Sequence, residues 1–94
     1  MIDKETIRRA DALREMELRE DQFGRRRFFS IQYYKKNGEV VYVPMAYCCG
    51  LRCNMKENRV RGVQPCDRAG NKIGHVIALS IDNIREFNHK KVVL

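Results

Sequence analysis

Ninety-four residues, 44% hydrophobic and 33% charged with a formal net charge of +7, describe one small domain with a thin core, burying roughly 60–65% of its unfolded surface. No stretch approaches the ~20 apolar residues of a membrane span, and the charged start MIDKETIRRADALREMELRED has no apolar h-region, so the expectation is a cytoplasmic chain without a membrane partner. The charge is uneven: residues 1–27 carry eight basic and seven acidic side chains, residues 28–94 eleven and five, and such a field attracts nucleic acid or an acidic protein surface, the plain alternative being a soluble basic protein with neither.

Residues 3–23 read as a helix. Asp3 suits an N-cap, Glu5 lies in the first turn, and no Pro or Gly intervenes until Gly24, which stands where a C′ glycine belongs. Glu5/Arg9 and Glu15/Arg19 have i,i+4 spacing. The apolar stripe is narrow: Ile2, Leu13, Met16 and Phe23 share a seam that Arg9 and Glu20 interrupt. Such a helix either lies on a small domain by that face or pairs with a second copy of itself.

After Gly24 the period becomes two. RRRFFSIQYYKK sets Phe29, Ile31 and Tyr33 against Phe28, Ser30, Gln32 and Tyr34. Asn37-Gly38 then signals a two-residue type I′ hairpin turn, and EVVYVPMAY returns as the second strand. With that loop Lys36 faces Glu39, Tyr33 faces Tyr42, and Ile31 faces Pro44, where the strand should bend or become an edge. RVRGVQPCD (59–67) reads as a third strand bent at its glycine, DRAGNK as a turn, and IGHVIALSI (73–81) as a fourth strand. That strand puts Ile73, His75, Ile77, Leu79 and Ile81 on one face. Asp82 is expected to cap a helical turn, DNIREF, with Ile84 and Phe87 pointing back, and KKVVL closes the chain as a fifth strand.

This order predicts an α+β, mostly β fold in one domain, 1–94. The N-terminal helix (3–23) leads into a five-stranded SH3-like or Sm-like small barrel (27–94), whose single turn before the last strand lets that strand close the barrel and remove exposed edges. An open antiparallel sheet covered by the helix is the alternative.

The four cysteines, Cys48, Cys49, Cys53 and Cys66, lie within MAYCCGLRCNMKENRVRGVQPC. Cys49 and Cys53 have C-x₃-C spacing, but Cys66 and His75 do not make the second knuckle of a structural zinc site. Disulfides do not suit a cytoplasmic chain. The cysteines are therefore read as small buried hydrophobes, and no metal or cofactor is expected. A thiol nucleophile would need a base and an orienting group near it. His75, on an apolar strand face, is a poor candidate for the base, and no phosphate loop, H-E-x-x-H or G-x-S-x-G is present. The expectation is a non-enzymatic protein.

The stretches FSIQYYKKNGEVVYVPMAY and RVRGVQPCDRAGNKIGHVIALSIDNIREF resemble a WYL-type domain, an Sm-like barrel often attached to a DNA-binding element. The resemblance spans residues 28–88 and rests on Ile31 and Tyr33, Gly38, Pro44, and Asp82 to Ile84. The chain has no tryptophan, so the Trp-Tyr-Leu triplet is absent. The resemblance implies the barrel and a regulatory or nucleic-acid role, and no site residue is carried over from it.

The site residues come instead from charge and aromaticity. Arg25, Arg26 and Arg27 form the densest basic run. Lys35 and Lys36 flank the hairpin turn, and Arg52, Lys56, Arg59 and Arg61 follow in the central loop and third strand. If Phe29, Ile31 and Tyr33 face the core, Phe28 and Tyr34 are left beside arginines and lysines, the combination that holds phosphates and stacks bases. These eleven residues are the expected nucleic-acid surface. The competing expectation is a structural or assembly protein of a phage or mobile element, self-associating through the Ile2/Leu13/Met16/Phe23 seam or a barrel edge.

Overall fold

The computed structural model describes residues 5–18, 20–50 and 59–94. Its elements are β1 (Thr6–Arg8), α1 (Arg9–Glu17), β2 (Phe29–Tyr34), β3 (Val40–Cys49), β4 (Val60–Pro65), β5 (Ile77–Ser80), a 3₁₀ turn (Ile81–Asn83), β6 (Ile84–Phe87) and β7 (Lys90–Val93). The class is α+β and mostly β. The strands form one seven-stranded sheet in the order β1-β7-β6-β2-β3-β4-β5. All pairings are antiparallel except β1 on β7.

The expected five-stranded barrel is thereby corrected. Among the described residues no ladder joins β5 to β6, and β1 and β7 extend the sheet beyond five strands. The open-sheet alternative matches apart from the parallel pair. The sheet is nevertheless strongly coiled, because β5 and β6 stand four strand spacings apart, about 19 Å if flat. Only Ile81–Asn83 connects them, and three residues of 3₁₀ turn rise about 6 Å.

The helix expected over 3–23 is shortened at both ends to Arg9–Glu17. At its start, Thr6–Arg8 pairs with Lys91–Val93 instead; β-branched Thr6 and Ile7 suit a strand, and Ile7 packs on the core. At its end Leu18 is already extended, and Glu20 pairs with Arg26 in a small hairpin. Asp21 Oδ1 accepts from the amides of Phe23 and Arg25 at 2.8 and 3.0 Å, so Gly24, at φ +76°, serves this turn rather than a helix end. Ile2 and Asp3, expected at the seam and the cap, lie outside the described residues, as does Arg19.

The core lies on the concave face. Phe29, Ile31 and Tyr33 meet Val43, Ala46, Val63, Leu79, Ile84 and Phe87 there, and Ala12 and Met16 of α1 cover them. The helix therefore lies on its own sheet, with Leu13 against the same cluster, while Phe23 is 69% exposed and outside the helix.

The first hairpin is present, but its register differs by one residue. Tyr33 pairs with Val41 and Gln32 with Tyr42. The loop holds three residues, closed by Gly38 at φ +89°, with the Lys35 amide donating to the Glu39 carbonyl at 2.8 Å. A one-residue shift exchanges the faces: Tyr42 is outside and 50% exposed. Near Pro44 the bend is a bulge. Pro44 and Met45 together oppose Ser30, between the pairs Ile31–Val43 and Phe29–Ala46.

The strand expected over 73–81 is cut to Ile77–Ser80. Gly74 has φ +68°, and Ile73, His75 and Val76 are exposed, so His75 is not on an apolar core face. The helical turn expected over DNIREF is also corrected. Ile81–Asn83 is 3₁₀, capped by Ser80 Oγ accepting from the Asp82 amide, and Ile84–Phe87 is a strand. Arg85 is the extra residue of a second bulge, between the pairs Tyr33–Ile84 and Gln32–Glu86. That bulge puts Ile84 and Phe87 on one face at a three-residue spacing, which a strand without a bulge would not.

Candidate nucleic-acid interface

The expected basic surface divides into two sets. The first holds α1 to the sheet. Arg27 Nη2 donates to Glu15 Oε2 at 2.8 Å, and Arg61 Nε donates to Glu17 Oε1 at 2.9 Å. Arg59 meets Asp82 with two donors, Nη2 to Oδ1 at 2.8 Å and Nε to Oδ2 at 3.2 Å, and Arg9 Nη1 reaches the same Oδ1 at 3.0 Å. Arg59 has φ +52°, a strained position for a side chain of this size, held by this fork and by the Ile81 amide donating to its carbonyl at 3.0 Å. The three expected phosphate contacts of this set thus have carboxylate partners within the chain.

Hydrogen bonding from Arg59 is the main cause that holds the Asp82 carboxyl below its usual range; partial desolvation opposes it, and the charges of Arg59 and Arg9 reinforce it. A depressed carboxylate contributes stability above its unfolded pKa, near ~3.9, and loses it as pH falls through the lower folded value. Asp82→Asn is therefore expected to lower the melting temperature at neutral pH, and the gap from the parent should close as pH falls below the unfolded value and through the lowered folded one. Thermal melts across that range check this, and a gap unchanged by acid would refute it.

The second set lies on the convex outer face. Arg26 stacks over the Tyr47 ring at 4.1 Å, and Phe28 meets the same ring edge-on at 6.1 Å. Arg25 lies over Phe23 at 5.0 Å and pairs with Asp21 at 3.3 Å. Six residues further along, at about 20 Å by strand rise, Tyr34 is 42% exposed with the Arg85 guanidinium 5.9 Å from its ring. Lys35 and Lys36 are exposed at the adjoining hairpin tip. Phe28 and Tyr34 thus share the outer face but lie at its two ends. Arg52 and Lys56 lie outside the described residues.

Sequence reasoning missed four members of this face: Tyr42, Arg85, His89 and Lys91. The Tyr42 ring lies 6.2 Å from that of His89. Asn88 and His89 both have positive φ, +49° and +66°, between the paired residues Phe87 and Lys90. They form the two-residue turn that Asn37-Gly38 was expected to make. Arg85 and Lys91 line, with Tyr34 and Glu86, a depression of about 520 Å³. Glu86, in register with Lys91 and Gln32, and Glu39, exposed at the hairpin tip, are acids of this region, and the Gln32 Oε1 is buried without a hydrogen-bond partner among the described residues.

The three described cysteines do not converge on one site. Cys48 packs toward the core, Cys49 neighbours Gly62, and Cys66 is buried. Burial, then Asp67, push the Cys66 thiol up, against a smaller opposing effect of Arg26, so its thiolate is disfavoured. Cys53 lies outside the described residues. Among the described residues no group of three or more His, Cys, Asp or Glu is placed to hold a metal, and no helix is long and apolar enough to cross a membrane. Comparison with models of known protein families, with curated proteins and with solved structures gives no match.

Proposed function

We propose that the protein is a non-enzymatic basic module that binds nucleic acid on the convex face of its sheet. One observation carries this reading: at the β2–β3 hairpin end, exposed Tyr34, Tyr42 and His89 lie beside Arg85, Lys91, Lys35 and Lys36. Aromatic faces interleaved with cations suit a polyanion that also carries flat rings. Assembly through the helical seam finds less support, since Leu13 and Met16 pack on the sheet of their own chain.

Fluorescence anisotropy of a labelled oligonucleotide at low and at physiological salt tests the proposal. The affinity is expected to fall linearly with salt on logarithmic axes. Changing Lys35, Lys36 and Lys91 together to Ala should weaken binding and reduce that slope by about 2, at roughly 0.7 for each single-strand phosphate that a lysine no longer neutralises. Absence of binding at low salt, or a slope untouched by the triple change, would reject the outer face as the site.

A further inference from the structure

We infer that the nucleic acid taken by this face is single-stranded, with neighbouring bases laid on Tyr34 and Tyr42. The inference rests on the binding reading above and specifies its substrate. Tyr34 pairs with Val40 and Gln32 with Tyr42, so the two tyrosines are diagonal cross-strand neighbours. That relation puts their backbones ~7–8 Å apart. Stacked nucleotides rise ~3.4 Å along a strand. A base on each ring therefore requires the two bases to be drawn apart to about twice the stacked spacing. A paired duplex does not expose base faces in this way; an unpaired strand does.

The charges agree with that path. Arg85, re-aimed by its bulge, stands over Tyr34, and Lys91 lies across the same depression, so cations flank the rings on the β6–β7 side. Lys35 and Lys36 flank them at the hairpin tip. Glu86 lies between Lys91 and Gln32 in register, and the phosphates must pass to either side of it. Duplex DNA offers a rival geometry, because a two-stranded ribbon can enter a major groove. In that geometry the tip lysines and ribbon edges make the contacts, and the tyrosine faces are not used.

The test compares a short oligothymidine with a duplex of equal length, using the full chain. Tyr34→Ala and Tyr42→Ala are measured singly and together, with Tyr42→Phe as the variant that keeps the ring. Both side chains are about half exposed and lie outside the core, so the melting temperature should stay close to the parent's and report that folding is intact. The expected result is tighter binding of the single strand, a loss of roughly tenfold per ring removed, and retained affinity in Tyr42→Phe. Equal or tighter duplex binding would overturn the inference. So would an oligothymidine affinity that the alanine variants leave unchanged while the lysine variant lowers it. Both outcomes leave the broader proposal standing, whereas no binding of either polymer at low salt removes both.

Discussion

Gly62→Ala is expected to cost about 3 kcal/mol or more and to lower the melting temperature by over ~12 °C. Gly62 lies within β4 opposite Cys49 of β3. A Cβ built there would overlap the Cys49 carbonyl oxygen, with the carbonyl carbon at 3.0 Å and the Cys49 sulfur at 3.2 Å. Overpacking against side chains costs typically ~1–3 kcal/mol because they turn aside. Here the obstacle is backbone held in a ladder, and relief means separating β3 from β4. For a domain of this length each kcal/mol shifts the midpoint by roughly 4–8 °C, and total stability is of order 5–15 kcal/mol. Gly50→Ala is the control: among the described residues nothing lies within 4 Å of its would-be Cβ, and its φ is not left-handed. It should melt like the parent. If Gly62→Ala also melted like the parent, the close approach of β3 and β4 would be wrong.

The same glycine shows how much of the fold was legible. A glycine inside a strand marks a bend or a close approach; the expected bend in RVRGVQPCD is not what Gly62 serves, since the register of β4 runs unbroken through it on both sides, and the close approach to Cys49 is. Two of the three glycine turns, KKNGE and DRAGN, were legible too, though their geometry was not, while DQFGR stood in the sequence as a helix end. DQFGR, KKNGE and DRAGN have a glycine at the fourth place, with φ of +76°, +89° and +85°. In each, the first residue's amide donates to the fifth carbonyl, and the glycine amide donates to the first carbonyl. In the two Asp turns the carboxylate also caps later amides, at 2.8–3.0 Å. Reading Asn37-Gly38 as a two-residue loop, rather than as the end of a three-residue one, moved the register by one and hid Tyr42 on the core side.

The remaining misses have non-local causes. Residues 5–8 carry helix-like charge spacing, yet Thr6–Arg8 is a strand because β7, more than eighty residues later, pairs with it. Ile84 and Phe87 have the spacing of one helical turn, and only the bulge at Arg85 makes that spacing strand-compatible. The basic run was found from the sequence, but its partition was not. Glu15, Glu17 and Asp82 are remote in sequence from Arg27, Arg61 and Arg59. Only the fold says which arginines have carboxylate partners.

Met16→Ala separates the two forces that hold α1. Met16 is 1% exposed and among the largest fully buried side chains. Truncating it is expected to cost about 2–5 kcal/mol, the forfeited transfer energy plus the cavity left behind. The ion pairs of Glu15 with Arg27 and Glu17 with Arg61 are partly exposed, with Glu17 53% open to solvent. Each is worth about 0–1 kcal/mol. The double change Glu15→Gln, Glu17→Gln should therefore melt close to the parent, while Met16→Ala melts far below it. In binding the order reverses. Met16→Ala leaves the outer face intact in every folded molecule, so its affinity for an oligonucleotide should match the parent at a temperature where both are folded. The glutamine pair removes two negative charges and releases Arg27 and Arg61 from their carboxylates, so its affinity at low salt should rise. If the glutamine pair instead lost stability as severely as Met16→Ala, the helix would be held by its charges, and the apolar core beneath it would not be what positions the arginine-bearing segments.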